Sequence, residues 1–399
     1  MNVLKRYAVP VLLAVVAGGA TGLLLTFLFG PRVVMTRLNN VYQQGPYVVS
    51  AEAEKVHAGL TVVDLHCDAA LWNRDILTRS SVGHVDVPRM QDGNVALQGF
   101  TAATWLPSGM SSQGTEKKND LLVPLSFFQR WPAETWTRAF NRALYQAEVI
   151  GEAAERSQRE LTIIRTRGDL ESYLDRRAGD PSLTAGFLGI EGLHAIEGKL
   201  ENVEKLYDAG YRMMAPTHFF DNLIGGSGQG VKRYGLTEFG EAVIEEMERL
   251  HIVLDLAHAS HQLVLDSCAK ATRPVVVSHT GVTGTCDNGR NLSDEAIRAI
   301  ADTGGVVGIG FWETATCGQD VGSIVAAMQY VADLVGVDHV ALGSDFDGAT
   351  VTPMDASGMG LITEELLARG FSEEEIAKIM GENTLRVLRA TLPPGDGTA

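Results

Sequence analysis

The chain has 399 residues, 45% hydrophobic and 21% charged, enough for one large α/β domain or two ordinary ones, which excludes a disordered or fibrous protein. Its formal net charge of -16 disfavours nucleic acid as a partner, because phosphates attract basic surfaces. Cys67, Cys268, Cys286 and Cys317 are too few for a disulfide scaffold and contain no Cys-x-x-Cys pair of a structural zinc site.

From Tyr7 to Phe29 no charged residue interrupts the apolar run. At about 1.5 Å per residue such a helix crosses a hydrocarbon core of roughly 30 Å, so the stretch predicts a transmembrane helix. Lys5 and Arg6 before it place the N-terminus in the cytoplasm and the rest of the chain outside, although Arg32 and Arg37 follow it. A cleaved signal peptide is the alternative, but the run is long and no small-x-small site precedes Pro31. The expected organisation is an anchor over residues 1–32, a linker over 33–58, a catalytic domain over 59–391 and a frayed tail over 392–399. That organisation predicts a single-pass membrane protein with an extracytoplasmic domain.

Eight short runs rich in Val, Ile, Leu and Gly then alternate with amphipathic stretches: 60–65, 96–105, 185–190, 211–216, 252–257, 274–278, 305–311 and 340–344. Continuous apolar runs suit parallel strands buried on both faces, and eight of them predict an α/β fold, a (β/α)8 TIM-like barrel. A doubly wound open sheet is the rival. Thr237 leads into a helix apolar at Val243, Ile244, Met247 and Leu250, and Ser372 with Glu375 forms a capping-box pattern. Ser293 opens a similar helix. The insert from Pro107 to Leu161 predicts helices over the rim or against the barrel wall.

The strand ends carry the chemistry. The first closes on His66 and Asp68, two apart and therefore on one side of the strand; the third on Glu191, the fourth on His218, the fifth on His258, the sixth on His279 and the eighth on Asp345. Any one of these, His258 for example, is more often a satisfied histidine than a ligand. Scattered core histidines would not choose strand C-termini repeatedly, and neutral imidazoles with carboxylates suit zinc or another divalent first-row ion. One carboxylate can join two sites: His66 and Asp68 on one metal, His258 and His279 on the other, Glu191 spanning both. Two such ions hold a hydroxide and polarise a carbonyl, which is hydrolytic chemistry.

In order, Asp64-Leu-His66-Cys-Asp68, Gly189-Ile-Glu191-Gly, Pro216-Thr-His218, Leu254-Asp-Leu-Ala-His258, Val277-Ser-His279, Gly289-Arg290-Asn291 and Gly343-Ser-Asp345-Phe-Asp347-Gly resemble the motifs of the membrane dipeptidase (renal dipeptidase) family, peptidase family M19. The resemblance runs from about Val56 to Leu388. It implies a binuclear zinc barrel that cleaves dipeptides, often with a D-residue at the C-terminal position. His66 and Asp68 then match the ligands of one Zn2+, His258 and His279 those of the other, and Glu191 the bridging carboxylate. His218 matches the substrate-contacting, oxyanion-supporting histidine, Arg290 the group that binds the substrate carboxylate, and Asp345 the acid/base.

Without the resemblance, Arg290 reads as a surface cation. Asp347 reads as a supporting or turn residue, Asp255 as a hydrogen-bonding residue toward a neighbouring strand, and Cys67 as a small buried residue pointing away from the metals. The loop from Thr280 to Arg290 departs from the family's usual run, which leaves the pocket wall and substrate preference open. Cys286 and Cys317 lie in loops that a disulfide joins in the animal members they resemble, a pairing that would agree with a domain outside the cytoplasm. The expected partners are dipeptides and, through the N-terminal helix, a membrane; a homodimer is left open. The alternatives are another metal-dependent amidohydrolase (an N-acyl-amino-acid deacylase, lactonase or β-lactam hydrolase) and a non-catalytic anchored binding protein.

Overall fold

The computed structural model describes residues 30–111 and 114–395. Its strands, in chain order, are β1 (Asn40–Val41), β2 (Val62–Cys67), β3 (Val95–Ala103), β4 (Leu161–Ile163), β5 (Thr184–Glu191), β6 (Tyr211–Met214), β7 (Val253–Leu254), β8 (Val276–Thr280), β9 (Val306–Ile309), β10 (Val340–Leu342) and β11 (Val351–Thr352). Eight of them form one parallel ladder in the order β7-β6-β5-β3-β2-β10-β9-β8, while β4 adds to β5 and β1 pairs β11 in a separate two-stranded piece. Every residue of β2, β3, β5 and β8 is buried, because helices cover the outer face and neighbouring side chains fill the inner one.

The expected (β/α)8 barrel with an N-terminal transmembrane helix is corrected on two counts. The sheet is a curled parallel half-barrel, compatible with a TIM-like fold, whose end strands β7 and β8 meet only at the single bridge between Asp255 and Val276. The cause is local. Asp255 Oδ1 accepts the backbone N–H groups of Ala257 at 3.0 Å and Ser278 at 2.8 Å, so a side chain takes donors that a ladder would otherwise use. β7 therefore stops after two residues.

Secondly, among the described residues no helix is long and apolar enough to cross a membrane, so a single-pass membrane protein is not supported. The predicted span, residues 7–29, lies outside the described residues. Ala139–Arg156, an 18-residue helix, carries Arg142, Glu148 and Glu152, while the more apolar Val321–Val335 has only 15 residues against the roughly 20 that a span needs.

The helices form for the reasons their sequences suggest. Thr237 caps Glu238–Arg249 by accepting from Gly240 N at 2.9 Å, and that helix buries Val243, Ile244 and Met247. Both arms of the Ser372–Glu375 capping box are present. The insert supplies Leu122–Phe128 and Ala139–Arg156; the latter buries Phe140, Ala143, Ala147 and Ile150 on the strand side, where Tyr211 donates to Ala143 O at 2.7 Å. At roughly 1.5–3 kcal/mol for each large apolar side chain removed from water, such faces hold the helices on the sheet. Within residues 33–58, Ser50 caps Ala51–Ala58, which buries Ala53, Val56 and His57. At the start of the tail, Pro393 O and Pro394 O accept from Arg167 N and Gly168 N, and residues 396–399 lie outside the described residues.

Candidate metal centre

The parallel ladder brings the C-terminal ends of its strands to one rim, and the residues expected to share a site meet there. β2 ends beside His66 and Asp68, β5 ends at Glu191, and His279 lies within β8. His218, His258 and Asp345 follow the ends of β6, β7 and β10, where the chain has left the ladder. His258 and Asp345 take up left-handed backbone (φ 61° and 60°), an uncommon conformation outside glycine that orients both side chains toward the rim. Gly348 has no side chain for the same reason of space: a Cβ there would meet Asp345 Oδ1 at 2.1 Å and Asp68 Oδ2 at 2.9 Å.

Glu191 is the centre of the cluster. Its Oε1 lies 3.2 Å from His66 Nε2 and 3.4 Å from both His258 Nε2 and His279 Nε2, and its Oε2 lies 3.0 Å from His218 Nε2. His66 Nε2 is also 3.6 Å from Asp68 Oδ2 and 3.8 Å from Asp345 Oδ1. The His258 and His279 Nε2 atoms approach to 2.9 Å. All seven residues are buried. Three overlapping groups have ligand atoms within 4.8 Å of one another: His66, Glu191 and His279; Glu191, His218 and His258; and His66, Asp68 and Asp345. His218 and Asp345 thus belong to the same groups as the expected ligands.

The electrostatics of the cluster follow from burial and from the charges of its neighbours. Burial drives the Glu191 carboxyl well above the usual range, with Asp68 and Asp345 adding to the effect against His66. Burial likewise raises Asp345, to about 8, with Asp68 adding to it and His66 and Arg290 opposing. His66 goes the other way: burial would lower it, but Glu191, Asp68 and Asp345 outweigh burial and raise it to about 10. Burial, then neighbouring positive groups, push His218, His258 and His279 well below the ordinary histidine value, so these three present neutral imidazoles.

The residues fit a divalent metal on one observation besides donor type: Glu191 Oε1 is a buried polar atom without a hydrogen bond. An orphaned carboxylate oxygen ringed by imidazole nitrogens is costly unless a cation satisfies it.

Arg290 anchors its fork on the end of β8, with Nη2 donating to His279 O at 2.7 Å and Nη1 to Thr280 Oγ1 at 3.2 Å; its guanidinium carbon is 5.9 Å from the Trp312 ring centre. Burial lowers its pKa while Asp345, Glu191 and Asp255 raise it. Its loop is stapled by the Cys286–Cys317 disulfide. Cys67 is buried in the apolar layer between sheet and helices. Asp347 turns from the rim and accepts from His84 N at 2.7 Å, Val85 N at 3.3 Å and the Arg74 guanidinium.

Three further residues stand at the rim. Thr101 Oγ1 donates to Cys67 O at 2.8 Å and sits 3.0 Å from His66 Nε2. Ser278 Oγ lies 3.2 Å from His66 Nδ1 and 3.0 Å from His279 Nδ1. Gln229 Oε1 is 2.7 Å from His258 Nδ1. Ser278 adjoins His279, which was a usable signal; Thr101 inside an apolar strand and Gln229 inside a glycine-rich loop offered none.

Comparison with known proteins identifies the family. The chain is 28% identical over 354 residues to Dipeptidase verJ of Clonostachys rogersoniana, covering 85% of this chain and 86% of the relative. Its fold is similar to that of a metallo peptidase from Rhodobacter sphaeroides liganded with a phosphinate mimic of the dipeptide L-Ala-D-Ala (TM-score 0.70, 24% identity, 83% of this chain and 99% of the other). It is also similar to the probable dipeptidase PvdM from Pseudomonas aeruginosa (TM-score 0.72, 18% identity, 86% and 98%). The family model for membrane dipeptidase matches residues 50–393. With that match over most of its length and the rim cluster in place, the chain belongs to the membrane dipeptidase family, peptidase family M19, and is a hydrolase of the metallodipeptidase type.

Proposed function

We propose that the chain is a binuclear zinc dipeptidase that accepts a D-residue at the C-terminal position. The observation that carries the reading is the Glu191 carboxylate with four histidine Nε2 atoms between 3.0 and 3.4 Å from its two oxygens. In this assignment His66 and Asp68 would hold one ion, His258 and His279 the other, and Glu191 would serve both. Such a pair, when bound, supplies Lewis acidity toward a carbonyl and brings the ionisation of water near neutral pH.

The remaining residues divide the work on the substrate. Arg290 has spent two of its five N–H donors on the end of β8, which leaves a preoriented fork for a terminal carboxylate and restricts substrates to short peptides with a free C-terminus. His218, neutral and buried against Glu191, supports the oxyanion that forms at the scissile carbonyl. Asp345 takes the proton from the attacking water and passes it to the leaving amine as the C–N bond breaks. The dipeptide mimic held by the Rhodobacter sphaeroides relative, L-Ala-D-Ala, supports L,D dipeptides as the substrates to try first.

The test is metal content and hydrolysis of L,L and L,D dipeptides on one preparation, before and after chelation, with Glu191→Gln alongside. Close to two zinc ions per chain, chelator-sensitive cleavage, and joint loss of metal and activity in Glu191→Gln are expected. Full activity of that variant at native metal content would remove the bridging assignment.

A further inference from the structure

The segment 225–230 runs beside the backbone that carries His258. Gly228 N donates to His258 O at 2.8 Å, Ser260 N donates to Gly226 O at 2.9 Å, and Ser227 bridges Ala259. The approach is close enough that a Cβ on Gly228 would stand 3.2 Å from the carbonyl oxygens of both Ala259 and Gly289. On the same segment, Ser227 Oγ donates to His218 O. One loop thus holds the backbones of two rim histidines.

The loop is itself fixed from two sides. Asp221 Oδ1 accepts from Ser227 N at 2.9 Å and Asp221 Oδ2 from Lys232 N at 2.7 Å, which closes the turn. From the other side the insert docks on it: Thr115 N donates to Gln229 O at 2.7 Å, and Thr115, buried, forms a parallel bridge with Gly230.

We infer that Gln229 is a positioning residue for the metal centre: held by the insert through Thr115, it fixes the orientation and tautomer of His258 for the second ion. The argument follows the hydrogen. Gln229 Oε1 is an acceptor only, so at 2.7 Å from His258 Nδ1 it requires the proton on Nδ1. Nε2 then carries its lone pair, and this is the nitrogen 3.4 Å from Glu191 Oε1 and 2.9 Å from His279 Nε2. Because His258 stands in left-handed backbone after a two-residue strand, the ladder does not orient its ring; the Gly228 N–H and the Gln229 side chain do. Outer partners that orient a ligating histidine are worth about 10–100-fold in metal affinity. The inference rests on the metallodipeptidase reading and adds to it a residue outside the ligand set.

The experiment titrates metal-depleted full-length chain with Zn2+ against a competing chelator and records the visible absorption of the Co2+-loaded form. It compares wild type, Gln229→Met, which keeps the length and loses the acceptor, and Gln229→Glu, which keeps the acceptor. Gln229→Met should bind one of two ions about 10–100-fold more weakly, leave the other unchanged and alter the Co2+ spectrum, while Gln229→Glu stays at or above wild-type affinity. If wild type binds two ions and Gln229→Met binds both equally well, this inference falls and the metallodipeptidase reading stands. If wild type binds none, both fall. Should Gln229→Met not fold, nitrogen NMR of the metal-free wild type decides: a proton on His258 Nδ1 supports the inference, and one on Nε2 overturns it.

Discussion

Replacing Arg290 by alanine separates recognition of the terminal carboxylate from the rest of catalysis. The guanidinium is anchored by His279 O at 2.7 Å and Thr280 Oγ1 at 3.2 Å, so it meets a carboxylate with donors left over and little side-chain entropy to lose. Two charge-assisted hydrogen bonds are worth about 1.5–3 kcal/mol each. Because Arg290 is only partly buried, solvent screens the pair and the lower bound applies, about 3 kcal/mol in total. At 1.36 kcal/mol per tenfold, that predicts a loss of roughly 150-fold in kcat/KM for a free dipeptide. A C-terminal amide offers one neutral acceptor, worth about 1 kcal/mol, and should lose only about 5-fold. Losing the anchor on His279 O disturbs both substrates alike and cancels in the ratio. The assay is therefore kcat/KM for one dipeptide and its amide, with wild type and Arg290→Ala, and the expected change in preference is about 30-fold. Equal losses on the two substrates would refute carboxylate recognition by Arg290 and return it to a structural part in the loop.

Gly348→Ala should abolish most activity while leaving the fold intact, since the new methyl group occupies the space of Asp345 Oδ1 and Asp68 Oδ2; unaltered kcat with native circular dichroism would show that the Asp345 carboxylate is free to move away. Removing the Cys286–Cys317 disulfide by a double serine substitution opens a constraint across 31 residues, worth about 3.7 kcal/mol by chain entropy, and urea unfolding should shift by about that much in the absence of reductant and not at all in its presence. His194 supplies a pH dependence. Burial, with Lys117 and Arg142 adding to it, lowers its pKa to about 3, so the folded state binds fewer protons than the unfolded one and stability is lost as pH falls below about 6.5. On metal-free protein the loss from this residue between pH 7 and pH 5 is about 2 kcal/mol, and His194→Gln should shrink the measured difference by that amount; an unchanged difference would mean that His194 keeps an ordinary pKa.

The amino-acid sequence by itself determined where the parallel strands run and what stands at their ends. Apolar β-branched runs are buried on both faces whichever neighbour they find, so 60–65, 185–190 and 340–344 are legible without tertiary context, and a residue that closes such a run lies at its C-terminal end. That is why His66, Glu191 and His279 could be named as a set. Local hydrogen bonding is legible for the same reason: Thr237 and Ser372 cap helices using partners three residues away.

What only the tertiary structure decided depends on groups far apart in the chain. Asp255 satisfies Ser278 N and so shortens β7, and the sheet consequently meets itself at one bridge where a continuous ladder was expected. A short segment such as β4 reads as coil until β5 offers it an edge. Thr101, Ser278 and Gln229 become parts of the site because the curled sheet and the insert bring them against His66, His279 and His258, and none has a charge or a periodic neighbour to announce it. The helices that the structure describes owe their position to one apolar face on the sheet, a property of how they pack and not of how hydrophobic they are.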